Sequence, residues 1–244
     1  MKHIFLLFSF FIVILPVAAL NVIDYSTNHA VGNLSGVNAT YTTTLSGITL
    51  SNYDAIYVDE HTGDFFTGYE TAVRNAMMNG LNIIAEYTNN TILGKLSTIF
   101  EFSTTLTTTH DANVMAAFSV TTEGANHPLF TGEGISGGGT VDVPALNRGS
   151  RSKGAYNHVP DGAQLLAKTG TSPLIMIGNV GLGTFVLINV ENLEGGPTAD
   201  EQTLSRNALF FADEIGTLGA VPEASSFILL GLAIAGIFGY KKFN

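Results

Sequence analysis

The residues best suited to chemistry are Asp59-Glu60-His61, with Asp64 close behind and Glu86 further along the chain. Carboxylates beside one imidazole suit a hard divalent cation, or a general acid and base. Asp59-Glu60-His61 ends an apolar run, Tyr53-Asp54-Ala55-Ile56-Tyr57-Val58, that reads as a strand. Glu86 lies within a second run, Leu81–Tyr87, whose nearly continuous apolar character suits a strand buried on both faces. If the two strands are parallel neighbours, Asp59, Glu60, His61 and Glu86 form a ligand edge, because ligands of open α/β sheets bind at the carboxyl ends of strands. The alternative is a solvated loop with a helix-capping acid, since consecutive strand residues point in opposite directions. No resident metal or cofactor is expected.

The elements between these runs set their relation. Thr67-Gly68-Tyr69-Glu70 has a capping-box pattern, followed by Tyr69, Ala72, Val73, Ala76 and Met77 at helical spacing and a stop at Gly80. Strand, helix and strand with short connections form a βαβ unit, so the strands should be parallel and adjacent. Further strands are predicted at Val22–Tyr25, Thr40–Leu45, Val114–Val120, Pro173–Ile177 and Thr184–Val190, the last two forming a hairpin. Leu93, Leu96, Ile99 and Phe100 mark a helix. A last helix opens on a second capping box, Thr198-Ala199-Asp200-Glu201, and presents Leu204, Ala208, Phe211 and Ile215. The fold class expected is α/β with a mostly parallel central sheet.

Other motifs exclude more than they propose. His110, His127 and His158 lie in turns or threonine-rich sequence, at spacings that fit no zinc pattern. Gly178, Gly181 and Gly183 precede a strand, whereas a dinucleotide fingerprint follows one. Gly132–Gly139 lacks the lysine and hydroxyl residue of a P-loop. Thr42–Thr44 and Ser103–Thr109 fit strand propensity, with O-glycosylation as the alternative.

Composition bounds the partners. The 244-residue chain contains no cysteine, so it has neither disulfides nor thiol chemistry. Setting aside Lys2, Lys241 and Lys242 leaves 7 of the 10 basic residues in 20–220, and setting aside Glu223 leaves 19 of the 20 acidic ones, a net charge of −12. Nucleic acid and anionic lipid are therefore poor partners. Arg148, Arg151 and Lys153 cluster in what reads as an exposed loop.

The two ends carry targeting signals. Residues 1–19 have a basic Lys2, an apolar stretch from Ile4 to Leu15 and small residues at Val17-Ala18-Ala19. That is a secretory signal peptide, cleaved after Ala19, and an uncleaved anchor is the alternative. The C-terminus places Val221-Pro222-Glu223 ahead of a 14-residue apolar run, Phe227 to Tyr240, and then Lys241-Lys242. This tail resembles the PEP-CTERM sorting signal of Gram-negative bacteria, although Ala224 stands where the family has a second proline. The resemblance implies recognition by an exosortase. A plain membrane anchor, with the basic end kept in the cytoplasm, is the other reading.

The body resembles a class I glutamine-amidotransferase-like domain, a flavodoxin-like three-layer sandwich. The resemblance lies in Tyr53–Val58, Gly80 with the strand after it, Asn126-His127-Pro128-Leu129-Phe130-Thr131-Gly132, the late hairpin, and Arg206-Asn207-Ala208-Leu209. That family places its nucleophilic cysteine where this chain has Glu86-Tyr87-Thr88-Asn89, so cysteine-dependent amidotransferase activity is excluded. The organisation expected is a signal peptide (1–19), an α/β domain (20–215), a linker with the sorting motif (216–226) and a hydrophobic helix with its basic tail (227–244). The partners expected are signal peptidase, exosortase, the inner membrane, and an exopolysaccharide or surface protein. The chain reads as exported, anchored in the inner membrane and, once processed, delivered to the cell surface or matrix. The leading function is a non-catalytic binding or structural domain. The alternative is a secreted metal- or carboxylate-dependent hydrolase using Asp59, His61 and Glu86.

Overall fold

A computed structural model describes residues 19–26, 30–59, 63–111, 118–135, 137–147, 153–190, 193 and 197–218. The signal segment before residue 19, Glu60, His61, Arg148, Arg151 and the sorting tail lie outside these described residues.

In chain order the elements are β1 (Leu20–Tyr25), β2 (Val37–Tyr41), β3 (Ala55–Asp59), α1 (Glu70–Met78), β4 (Asn82–Glu86), α2 (Asn90–Ile99), β5 (Thr108–Asp111), β6 (Phe118–Val120), α3 (Thr122–Ala125), α4 (Pro128–Thr131), β7 (Lys153–Tyr156), β8 (Gln164–Thr169), β9 (Ser172–Val180), β10 (Gly183–Ile188) and α5 (Ala199–Leu218). Eight strands form one sheet in the order β2-β1-β3-β4-β10-β9-β8-β6. The first five are mutually parallel, and β9, β8 and β6 continue the sheet by antiparallel pairing. The fold is thus mixed α/β around a large central sheet. β5 and β7 form a separate antiparallel ribbon.

Apolar side chains leave the sheet on both faces because its central strands are largely apolar. On one face Val22, Tyr57, Ile84, Val186 and Ile188 pack with Leu204, Ala208 and Phe211 of α5. On the other, Ile23, Ile56, Ile83 and Leu187 pack with Val73 and Met77 of α1 and Ile92, Leu93 and Leu96 of α2. Burial of this kind supplies the main stabilisation of a chain without disulfides, at about 25 cal/mol per Å² of apolar surface.

Local sequence accounts for most element ends. Thr198 and Glu201 form the expected reciprocal cap of α5: the Thr198 N–H donates to Glu201 Oε2 at 2.6 Å, and the Glu201 N–H donates to Thr198 Oγ1 at 3.3 Å. α5 runs to Leu218, past the boundary expected at 215. The box expected at Thr67–Glu70 does not form. Thr67 bonds Asp64 instead, Glu70 pairs with Lys95 at 2.9 Å, and α1 opens at Glu70 without a side-chain cap. The strand expected at Thr40–Leu45 is also displaced, to Val37–Tyr41. Thr42 explains the early end: its hydroxyl bonds the backbone of Thr44 as both donor and acceptor, which turns the chain. The late hairpin is tighter than expected. β9 and β10 extend to a two-residue turn, Gly181-Leu182, with Gly181 at φ 63°.

Candidate functional site at the carboxyl edge of the sheet

β3 and β4 are parallel neighbours, and Asp59 lies directly opposite Glu86. The expected juxtaposition is therefore present, but its character differs from that of a solvated edge. Asp59 is 2% exposed and Glu86 0%. In parallel strands residues in register point to the same face. The pairs Asp24–Tyr57, Tyr57–Ile84 and Asp59–Glu86 thus place Asp24, Tyr57, Asp59 and Glu86 on the α5 face of three adjacent strands. The Tyr57 hydroxyl donates to Glu86 Oε2 at 2.8 Å. Burial pushes the Tyr57 hydroxyl well above the usual tyrosine range, and the carboxylates of Glu86, Asp59 and Asp24 add to the shift. Tyr57 therefore remains a protonated donor among buried acids.

The ribbon of β5 and β7 is docked at this edge by side-chain amides. Asn90, at the start of α2, bonds both backbone groups of Thr108: its Oδ1 accepts the Thr108 N–H at 2.7 Å and its Nδ2 donates to the Thr108 carbonyl at 3.1 Å. Asn189, just past β10, donates through Nδ2 to Thr108 Oγ1 at 2.6 Å, and its carbonyl accepts the Gly154 N–H at 3.0 Å. Gly154 lets the two approach closely, since a Cβ there would displace the Asn189 amide. β7 ends in Tyr156, which is buried, and whose hydroxyl is pushed above its ordinary range first by burial and then by Glu86. The Tyr156 hydroxyl and Asn189 Oδ1 have no hydrogen-bond partner among the described residues. Glu86 thus lies within electrostatic reach of two tyrosines, one from the sheet and one from the ribbon.

The turn after β4, Glu86-Tyr87-Thr88-Asn89, contains no glycine. Tyr87 nonetheless has φ 43°, in the left-handed region, which costs a non-glycine residue about 1–2 kcal/mol. Its surroundings hold it there. The Tyr87 N–H donates to the Ile188 carbonyl at 2.7 Å, and Asn89 caps α2 by accepting the Ile92 N–H at 3.0 Å.

No group of three or more His, Cys, Asp or Glu residues is arranged to hold a metal ion among the described residues. His127 does what its turn suggested, since its Nδ1 accepts the Leu129 N–H at 3.1 Å and caps α4. Asn207 is buried in α5 and fastens the glycine-rich segment: its Nδ2 donates to the Leu129 and Gly139 carbonyls at 3.0 and 2.8 Å, and its Oδ1 accepts the Gly139 N–H at 3.3 Å. The two stretches Asn126–Gly132 and Arg206–Leu209 therefore meet as a structural fastening. Asp24, Tyr57, Tyr156 and Asn189 were not singled out from sequence. The available signal was a polar residue interrupting an apolar strand near its carboxyl end, as in Val22-Ile23-Asp24-Tyr25.

No protein-family model matches the chain, and no curated protein matches it. Among solved structures it is similar to Agd3, a carbohydrate deacetylase, with 12% identity and a TM-score of 0.50 over 79% of this chain and 32% of that one. Cytoplasmic Protein STM1381 from Salmonella typhimurium LT2 aligns at 11% identity and TM-score 0.47, covering 81% of this chain and 99% of that one. At 12% identity the first of these speaks to fold alone. No helix among the described residues is long and apolar enough to cross a membrane.

Proposed function

We propose that this chain is an exported protein of the cell envelope or matrix whose α/β domain binds or scaffolds without catalysing a reaction. The observation that carries the non-catalytic reading is Glu86, fully buried at the carboxyl edge with its carboxylate accepting the Tyr57 hydroxyl. That bond ties β3 to β4. The flavodoxin-like, amidotransferase-like reading of the body is supported by the parallel order β2-β1-β3-β4-β10, which in chain order is the doubly wound 2-1-3-4-5 arrangement. The strained turn at Tyr87 stands where that family has its nucleophile. The test is turnover: the purified protein is assayed against amide, ester and glycoside substrates beside Glu86→Gln. No turnover above background is expected. Activity that Glu86→Gln abolishes would overturn the reading.

Export and sorting rest on Val221, Pro222 and Glu223 with the apolar run and lysines after them, and on the signal segment. Deleting residues 221–244 should release the body in soluble form. In a host lacking exosortase the full chain should stay in the inner membrane, and identical fractionation with and without exosortase reduces the tail to a plain anchor.

A second reading, a carboxylate-dependent hydrolase, is favoured by one observation. Tyr156 brings a buried hydroxyl with no partner among the described residues toward Glu86, the kind of pairing that serves acid–base chemistry. It requires the ribbon to open.

A further inference from the structure

The opposite edge of the sheet carries a cleft of about 560 Å³, within the roughly 300–1,000 Å³ usual for small-molecule sites. One wall is the turn holding Leu50 and Ser51. The other is the end of α1, with Asn75 and Asn79, and the floor includes Asp54 and Leu81, the residues that lead into β3 and β4. Asp213 of α5 reaches the same cleft.

The lining is prepared for a particular chemistry. The Asp54 carboxylate is fixed from below, with Oδ2 accepting the Asn21 N–H at 2.7 Å. Asn79 is fixed through Nδ2, which donates to the Asn75 carbonyl at 2.7 Å, and its Oδ1 remains an acceptor. Gly80 ends α1 at φ 109°, and a Cβ there would meet nothing within 4 Å, so the cleft borders bare backbone at this point. Tyr53 adds half-buried aromatic surface. Among the described residues the lining contains two carboxylates, two amides, one serine hydroxyl and one tyrosine, and no Lys, Arg or His. An anion meets like charge there. Two carboxylates are too few for an all-protein site of a hard cation, which takes about six to eight oxygens. A polyol offers many hydroxyls that both donate and accept, and an apolar ring face for an aromatic neighbour.

We propose that this cleft binds a neutral saccharide, an inference that rests on the binding reading above and gives it a ligand class.

The test uses the full chain purified in detergent, titrated calorimetrically with neutral gluco-, manno-, xylo- and galacto-oligosaccharides and with oligogalacturonate as the charged control. One neutral series should bind with a Kd between about 1 μM and 1 mM, and the charged control should not. The double substitution Asn75→Ala, Asn79→Ala should weaken binding at least about tenfold. Ser51→Trp, an exposed position that fills the cleft without entering the core, should abolish it, with thermal unfolding confirming that each variant is folded. Binding that survives Ser51→Trp, preference for the charged control, or no neutral binding at all would overturn the proposal. None of these outcomes touches the non-catalytic reading, which fails through turnover.

Discussion

Replacing Glu86 with alanine and with glutamine separates the two ways in which this residue could matter. Both substitutions remove the charge, so any relief of repulsion with Asp59, its register neighbour, is common to the pair. Glutamine keeps the volume and a side-chain oxygen for the Tyr57 hydroxyl. Alanine leaves that hydroxyl, fully buried, without its acceptor, which costs about 1–3 kcal/mol. It also leaves a cavity, at about 24 cal/mol per Å³. Glu86→Ala should therefore be less stable than Glu86→Gln by about 2–4 kcal/mol. Glu86→Gln itself should stay within about 1 kcal/mol of the parent, or exceed it. Urea unfolding of residues 20–218, with unchanged dependence on denaturant, reads both numbers. Equal stabilities for the two variants would refute the reasoning, because shape and the Tyr57 bond would then contribute nothing. A Glu86→Ala change within about 0.5 kcal/mol would return Glu86 to the solvated class.

Three further outcomes follow from other parts of the fold. Asn207→Ala removes three hydrogen bonds to Leu129 and Gly139, and should cost about 2–4 kcal/mol in the same unfolding assay while loosening the 128–139 segment to limited proteolysis. Burial holds the His127 pKa down from 6.5 to about 4, so the unfolded chain takes up its proton first as pH falls. That contribution is present above about pH 6.5 and lost on the way to about pH 4; partial exposure limits it to roughly 1–2 kcal/mol, and His127→Asn should flatten the stability profile in that window. Tyr57 and Tyr156 have raised pKa values in the fold, so their contribution is present below about pH 10 and lost above it; tyrosinate absorbance should show both titrating only with alkaline unfolding.

The parallel half of the sheet was legible because its signals are local. Apolar runs, Gly80 after an amphipathic helix and a short connection were enough to put β3 beside β4 and Asp59 opposite Glu86. The burial of Glu86 was not legible. The ribbon of residues 108–111 and 153–156, which brings Tyr156 within electrostatic reach of Glu86, and its fastening by Asn90 and Asn189 appear only when distant strands meet. Thr67-Gly68-Tyr69-Glu70 misled because Asp64 and Lys95 took the two side chains that the cap needed. The strain at Tyr87 was hidden for a related reason: bonds from Ile188 and Asn89 hold a conformation that the residue type disfavours.

The central claim is that the carboxyl edge is closed, with Glu86 buried in the sheet and the ribbon fastened beside it. Native-state hydrogen exchange measures this directly. The amides of Thr108 and Gly154, bonded to Asn90 and Asn189, should exchange as slowly as those of β10, through global unfolding. Exchange of Thr108 and Gly154 at loop-like rates while β10 stays protected would contradict the account, because the carboxyl edge would then open in the native state.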